Sequence, residues 1–213
     1  MLKIIQSLMS LIPEGTTRVS ILGRHTLSQQ DGPNETRTLR PEGITLCHSV
    51  QIYYAMLLSF LESRFGSPSF FCSEMARSFA TVWEITHAPH ITRDSRLNLL
   101  ASLKKIQDGA WFKSQKEASA PVPEMLRMFL ADPVLAEGQP FSENANNYMD
   151  WATDDGDRNV RITFAHEVAC SLAVSEHVDD KDLGLSECQA FMLCMDDNGF
   201  IQKVIKITPP ATI

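Results

Sequence analysis

Three residues of this chain are of the types that nucleophilic catalysis needs: Cys47, His166 and Asp196. A thiolate attacks a carbonyl carbon, an imidazole takes the thiol proton, and a carboxylate orients the imidazole. Thr45 is a candidate helix N-cap two residues before Cys47. That placement puts the thiol in a first helical turn, where unpaired N–H groups and the helix dipole favour the thiolate. His166 falls on a segment read as a strand, and Asp196 closes the first arm of a terminal hairpin.

The order is a Cys at a helix start, further helices, a His on a strand, then an Asp at a strand end. It resembles the papain-like cysteine proteases and their deamidase and transferase relatives. The likeness covers residues 43–199 and is one of layout. It implies hydrolysis or acyl transfer with Cys47 as nucleophile, His166 as base and Asp196 as orienting group, with Gln29 or Gln30 as the oxyanion donor. The flanking Gly-Ile-Thr-Leu-Cys-His-Ser matches no signature of that group. A plainer reading competes with it. Cys47 lies on the apolar stripe of its own helix, His166 on the apolar parity of its own strand, and Asp196 and Asp197 are ordinary turn residues.

Other clusters carry less. Glu84, His87 and His90 recur every three residues, but Pro89 breaks the helix before His90. Asp150, Asp154, Asp155 and Asp157 make an oxygen-rich stretch without the spacing of an EF-hand loop. His166-Glu167 has Cys170 where H-E-x-x-H needs its second His, and neither glycine-rich phosphate motif occurs. No metal and no cofactor is therefore expected. Arg18, Arg24, Arg37 and Arg40 are diluted by Glu14, Asp31, Glu35 and Glu42 and lack interleaved aromatics, which argues against direct nucleic-acid binding.

Charge is the strongest signal. Residues 132–197 hold 15 acidic and 3 basic side chains, a net of −12 within a whole-chain charge of −7. Such a lobe repels nucleic acid and anionic membrane and attracts cations. The leading expectation is a non-enzymatic interaction protein, an immunity or antitoxin-like inhibitor or an adaptor, docking a basic protein. The partner surface would be Asp150, Asp154, Asp155, Asp157, Asp179, Asp180 and Asp182. The cysteine hydrolase is the alternative.

The elements that must position these residues read as α+β in a single domain, 1–213. A loop at 23–43 is followed by a helical part at about 44–151 and a β part at about 158–208. Leu2, Ile5, Leu8 and Ile12 predict a short amphipathic helix, and Arg18–Leu22 a short strand. Further helices are expected from Thr45 to Phe65, from Ser69 to Thr86, from Asp94 to Gly109, from Pro123 to the residues before Pro133, and from Ser142 to Trp151. The even positions from Val160 to Val174 are mostly apolar, which predicts one long strand or two with a bend, although Phe164, Val168 and Leu172 also fit a helix. Asp196-Asp197-Asn198-Gly199 then joins a closing antiparallel hairpin. Five scattered cysteines without C-x-x-C point to a reducing, cytoplasmic compartment. No apolar run reaches the ~18 residues of a membrane span.

Overall fold

The computed structural model describes residues 1–29, 31–33, 35–98, 140–154, 156, 159–179 and 182–210. In chain order the elements are α1 (Leu2–Met9), β1 (Arg18–Arg24), α2 (Pro41–Phe65), β2 (Ser69–Cys72), α3 (Ala76–Thr86), β3 (Thr92–Arg93), α4 (Pro140–Thr153), β4 (Val160–Ala165), α5 (Glu167–Ala173), β5 (Ala190–Met195) and β6 (Ile201–Ile207). The expected third helix is a single 3₁₀ turn, Ser95–Leu97, as far as the described residues go. The fourth, from Pro123, lies outside them.

The strands form one six-stranded sheet in the order β3-β2-β4-β1-β5-β6. β3, β2, β4 and β1 run parallel, and β5 pairs antiparallel with both β1 and β6. The fold is therefore a mixed α/β sheet with helices on both faces, not helices followed by a separate β part. Parallel neighbours need crossover connections, which is why strands and helices alternate.

Both faces of the central strands are covered. Val160, Ile162 and Phe164 of β4 join Val19 and Ile21 of β1 in a core with Ile5 of α1, Val82 and Ile85 of α3, and Tyr54, Leu57 and Leu61 of α2. Ala165 and Leu22 belong to a second core with Tyr148 and Trp151 of α4 and Cys170 of α5. Every residue of β4 is buried, as expected of a strand covered on both sides. α2 is 25 residues long and apolar enough to cross a membrane by length and composition. It nonetheless lays a buried row, Cys47 to Phe65, on the sheet.

Three boundary errors matter for the site. β1 runs on to Arg24, so the loop does not begin at Gly23. Gly23 fits there because a Cβ would overlap the Phe164 ring on the neighbouring strand. Residues 69–72 form a strand rather than the opening of a helix, since β2 docks between β3 and β4. The alternation from Val160 breaks at His166, where the chain turns into α5.

Candidate active site

β1 and β4 end side by side. Arg24 is in register with Ala165, and the His25 amide donates to the Ala165 carbonyl at 2.9 Å. The next residue of each segment is a histidine. The His25 and His166 rings stand edge-to-face with centroids 5.4 Å apart. In open α/β sheets, the crevice beyond the carboxyl ends of the strands is where ligands bind.

α3 supplies the third group. Its start is tied to both strands: Ser78 Oγ donates to the Phe164 carbonyl at 2.6 Å, and Thr81 Oγ1 accepts from the Thr26 amide at 3.2 Å. This sets Arg77, the second residue of α3, with its Nε 3.1 Å from His25 Nε2. The other ring nitrogen, His25 Nδ1, lies 2.9 Å from the Thr26 carbonyl, so it carries the proton and Nε2 keeps its lone pair. The positive end of the α3 dipole adds to the Arg77 charge.

Both imidazoles are held neutral. Burial lowers the His25 pKa to about 4, with Arg77 and Arg24 adding to the shift and the Thr26 hydrogen bond opposing it. Burial takes His166 well below its usual range, with His25 and Arg77 adding to the effect. His166 is 7 % exposed, and its Nε2 is without a hydrogen-bond partner among the described residues. The buried Tyr148 hydroxyl donates to the Leu97 carbonyl at 2.7 Å. Arg77 is buried as well, and burial followed by the Arg37 charge lowers its pKa. A buried guanidinium beside two neutral bases makes a place for an anion, and a neutral imidazole lone pair there can act as a nucleophile.

The residues expected from sequence fall elsewhere, apart from His166. Cys47 is the seventh residue of α2, because the helix starts at Pro41, so it lies beyond the first turn. Its thiol is buried against Cys188, and that hydrogen bond together with burial raises its pKa far above a reactive range. Asp196 caps the β5–β6 turn, its Oδ1 accepting from the Asn198 and Phe200 amides at 2.9 and 3.0 Å. Among the acidic candidates, Asp150, Asp179 and Asp182 are exposed. Asp154 is ion-paired with Arg96 at 2.7 Å and Arg161 at 3.4 Å. Asp155, Asp157 and Asp180 lie outside the described residues. Glu84 bonds His48 at 2.9 Å, His87 packs on Trp83, and no metal-ligating cluster occurs among the described residues. Sequence reading missed His25 and Arg77. The available signal was a histidine directly after a strand, repeated at His166, with an arginine opening the next helix.

No protein-family model matches the chain, and no curated protein matches it in sequence. Solved structures do match in fold. A phosphoserine phosphatase from Entamoeba histolytica, in complex with 3-phosphoglyceric acid, superposes with a TM-score of 0.55 at 13 % identity over 91 % of this chain and 97 % of its own. A putative alpha-ribazole-5′-P phosphatase from Escherichia coli gives 0.54 at 14 % identity, with 91 % and 97 % covered. A mycobacterial glucosyl-3-phosphoglycerate phosphatase gives 0.52 at 17 % identity, with 92 % and 100 % covered. At these identities the likeness speaks to the fold. It overturns both functional expectations, because the solved structures that share the fold are phosphatases and not immunity or adaptor proteins or cysteine hydrolases.

Proposed function

We propose that this chain is a phosphohydrolase for phosphate monoesters, acting through a phosphohistidine formed on His25. The observation that carries the reading is the His25 Nε2 lone pair facing the Arg77 guanidinium, with a second neutral imidazole beside it. The phosphatase fold of the structural neighbours supports it.

In the first step, His25 Nε2 forms a bond to phosphorus as the ester P–O bond breaks. The leaving oxygen keeps the electron pair and takes its proton from water. Arg77 binds the phosphoryl oxygens and offsets their charge where it is concentrated. The Thr26 carbonyl holds the Nδ1 proton of the phosphorylated ring, which stabilises the positive charge gained there. The unpartnered His166 Nε2 is placed for a hydrogen bond to a phosphoryl oxygen. Water then attacks phosphorus, the N–P bond breaks, and His25 returns neutral with inorganic phosphate released. Among the described residues no carboxylic acid is hydrogen-bonded to His25. An aryl phosphate, whose leaving group departs as a stable anion, therefore tests the nucleophile without calling on an acid.

The test is hydrolysis of p-nitrophenyl phosphate with quenched-flow mass spectrometry of the protein. The expected result is turnover with a transient mass increase of one phosphoryl group on the peptide bearing His25, absent in His25→Ala. Turnover that survives His25→Ala, or no turnover by the wild-type chain, rejects the reading.

A further inference from the structure

We propose that the Arg24–Glu167 ion pair is a positioning device that sets the spacing of the His25 and His166 rings. Arg24 directly precedes His25, and Glu167 directly follows His166. The Arg24 Nη1 atom meets Glu167 Oε2 and donates to the Leu185 carbonyl at 2.6 Å, while Nη2 donates to Glu187 Oε1 at 2.9 Å. The second Glu167 oxygen accepts from the Leu185 amide at 3.1 Å. The two side chains are 27 % and 12 % exposed, so the pair is largely withdrawn from water. With Leu185, Gln189 and Lys206 it lines a cavity of about 440 Å³ beside the segment entering β5. His25 turns instead toward α3.

Two consequences follow. The guanidinium next to the proposed nucleophile is committed to carboxylates, which leaves Arg77 as the cation on Nε2. The pair also spans the point where β1 and β4 part. The last backbone bond between their exits is His25 N to Ala165 O, and past it the second chain turns into α5. A half-buried ion pair whose two ends are also hydrogen-bonded to Leu185 restrains both exits at once. Small misplacements of reacting groups are costly in rate. The kinetic consequence rests on the phosphohydrolase reading; the ring spacing does not.

The test uses the full chain with histidine labelling and the variants Glu167→Gln, Arg24→Gln and Arg24→Lys. Ring-to-ring nuclear Overhauser contacts between His25 and His166 report the spacing. The kcat and KM for p-nitrophenyl phosphate, and the Ki for inorganic phosphate, report the consequence. The contact is expected in the wild type and in Arg24→Lys, and is expected to be lost in Glu167→Gln and Arg24→Gln. Those two variants should lose at least ~10-fold in kcat with KM and Ki within about twofold, and Arg24→Lys should recover most of the loss. An intact contact with unchanged kcat in Glu167→Gln overturns the proposal. So does Arg24→Gln raising Ki at least ~10-fold with kcat unchanged, since Arg24 would then be an anion ligand. If Arg24→Gln fails to fold, Glu167→Gln decides alone, because it keeps the shape and the acceptor for Leu185. If the wild type hydrolyses no ester, the phosphohydrolase reading fails and the ring contact still decides this one.

Discussion

β4 has a buried arginine at each end, and the two are held in opposite ways. Where the strand begins, Arg161 is packed between the Phe71 and Trp151 rings, 4.7 and 5.1 Å from their centroids. Its charge is met by Asp154, which also pairs with Arg96, itself paired with Asp94. Where the strand ends, Arg77 meets the neutral imidazole of His25. Burial lowers the pKa of both arginines. The first site is closed by carboxylates and braces the fold. The second faces two bases that burial keeps uncharged, and the Glu35 charge favours its guanidinium. A buried cation packed on neutral bases thus marks a candidate site more strongly than one already closed by short ion pairs.

The sharpest way to break this contrast is His25→Ala, which should lower kcat on p-nitrophenyl phosphate by on the order of 10³-fold or more while the melting temperature moves little. Asp154→Ala should do the reverse. Leaving Arg161 buried and less well paired should cost about 2–3 kcal/mol in urea denaturation, with kcat per folded molecule unchanged. A strong kinetic effect of Asp154→Ala would merge the two sites and end the comparison.

Acid separates the two ends further. The His25 pKa falls from 6.5 to about 4 on folding. Between those values the unfolded chain binds a proton that the native ring refuses, so stability drops as pH falls through that window, by at most about 3 kcal/mol. Asp94 and Asp154 are lowered from 3.8, Asp94 by the Arg96 hydrogen bonds against burial and Asp154 first by its Arg96 hydrogen bond. Their contribution is intact above 3.8 and is lost only as pH falls below it. Glu167, raised by burial, acts with the opposite sign above 4.5, so wild type and variant must be compared at each pH. His25→Asn should reduce the slope between pH 6.5 and 4, His166 supplying the rest because burial lowers it too, and Asp154→Asn should reduce the slope below 4, both read from denaturant midpoints. The acid limb of kcat/KM assigned to His25 should likewise sit near pH 4 and not near 6.5. The smallest effect is expected for Cys47→Ala: kcat within about twofold and a stability loss of about 1 kcal/mol, because the thiol is a packed core group.

The sequence is legible where one face decides the pattern. The α1 stripe, the apolar row of α2 and the Asn-Gly turn each have a local cause, and the mixed α/β class follows in part from such segments. It is not legible where two faces are buried at once. In β4 and α5 the alternation runs through His166 because both sides of the strand are covered and the helix that follows is buried too, so periods of two and of four fit the same letters. Ser69–Cys72 forms a strand only because β3 and β4 flank it, a fact no local window contains. The same limit hid the candidate site. Cys47 drew attention by its residue type, whereas His25 and Arg77 gain their chemistry from register and docking across chain segments far apart. The acidic excess misled because composition reports solubility and encounter, not fold or active site.

The parallel pairing of β1 with β4 joins residues such as Val19 and Val160, which lie 141 positions apart (160 − 19). Loop-closure entropy disfavours so distant a contact until intervening segments have collapsed, which makes it a slow event on the way to the native chain. Because His25 and His166 follow directly on those two paired strands, regain of turnover after dilution from denaturant should trail the regain of helical circular dichroism. Turnover, where it is found, would then time the closure of the topology.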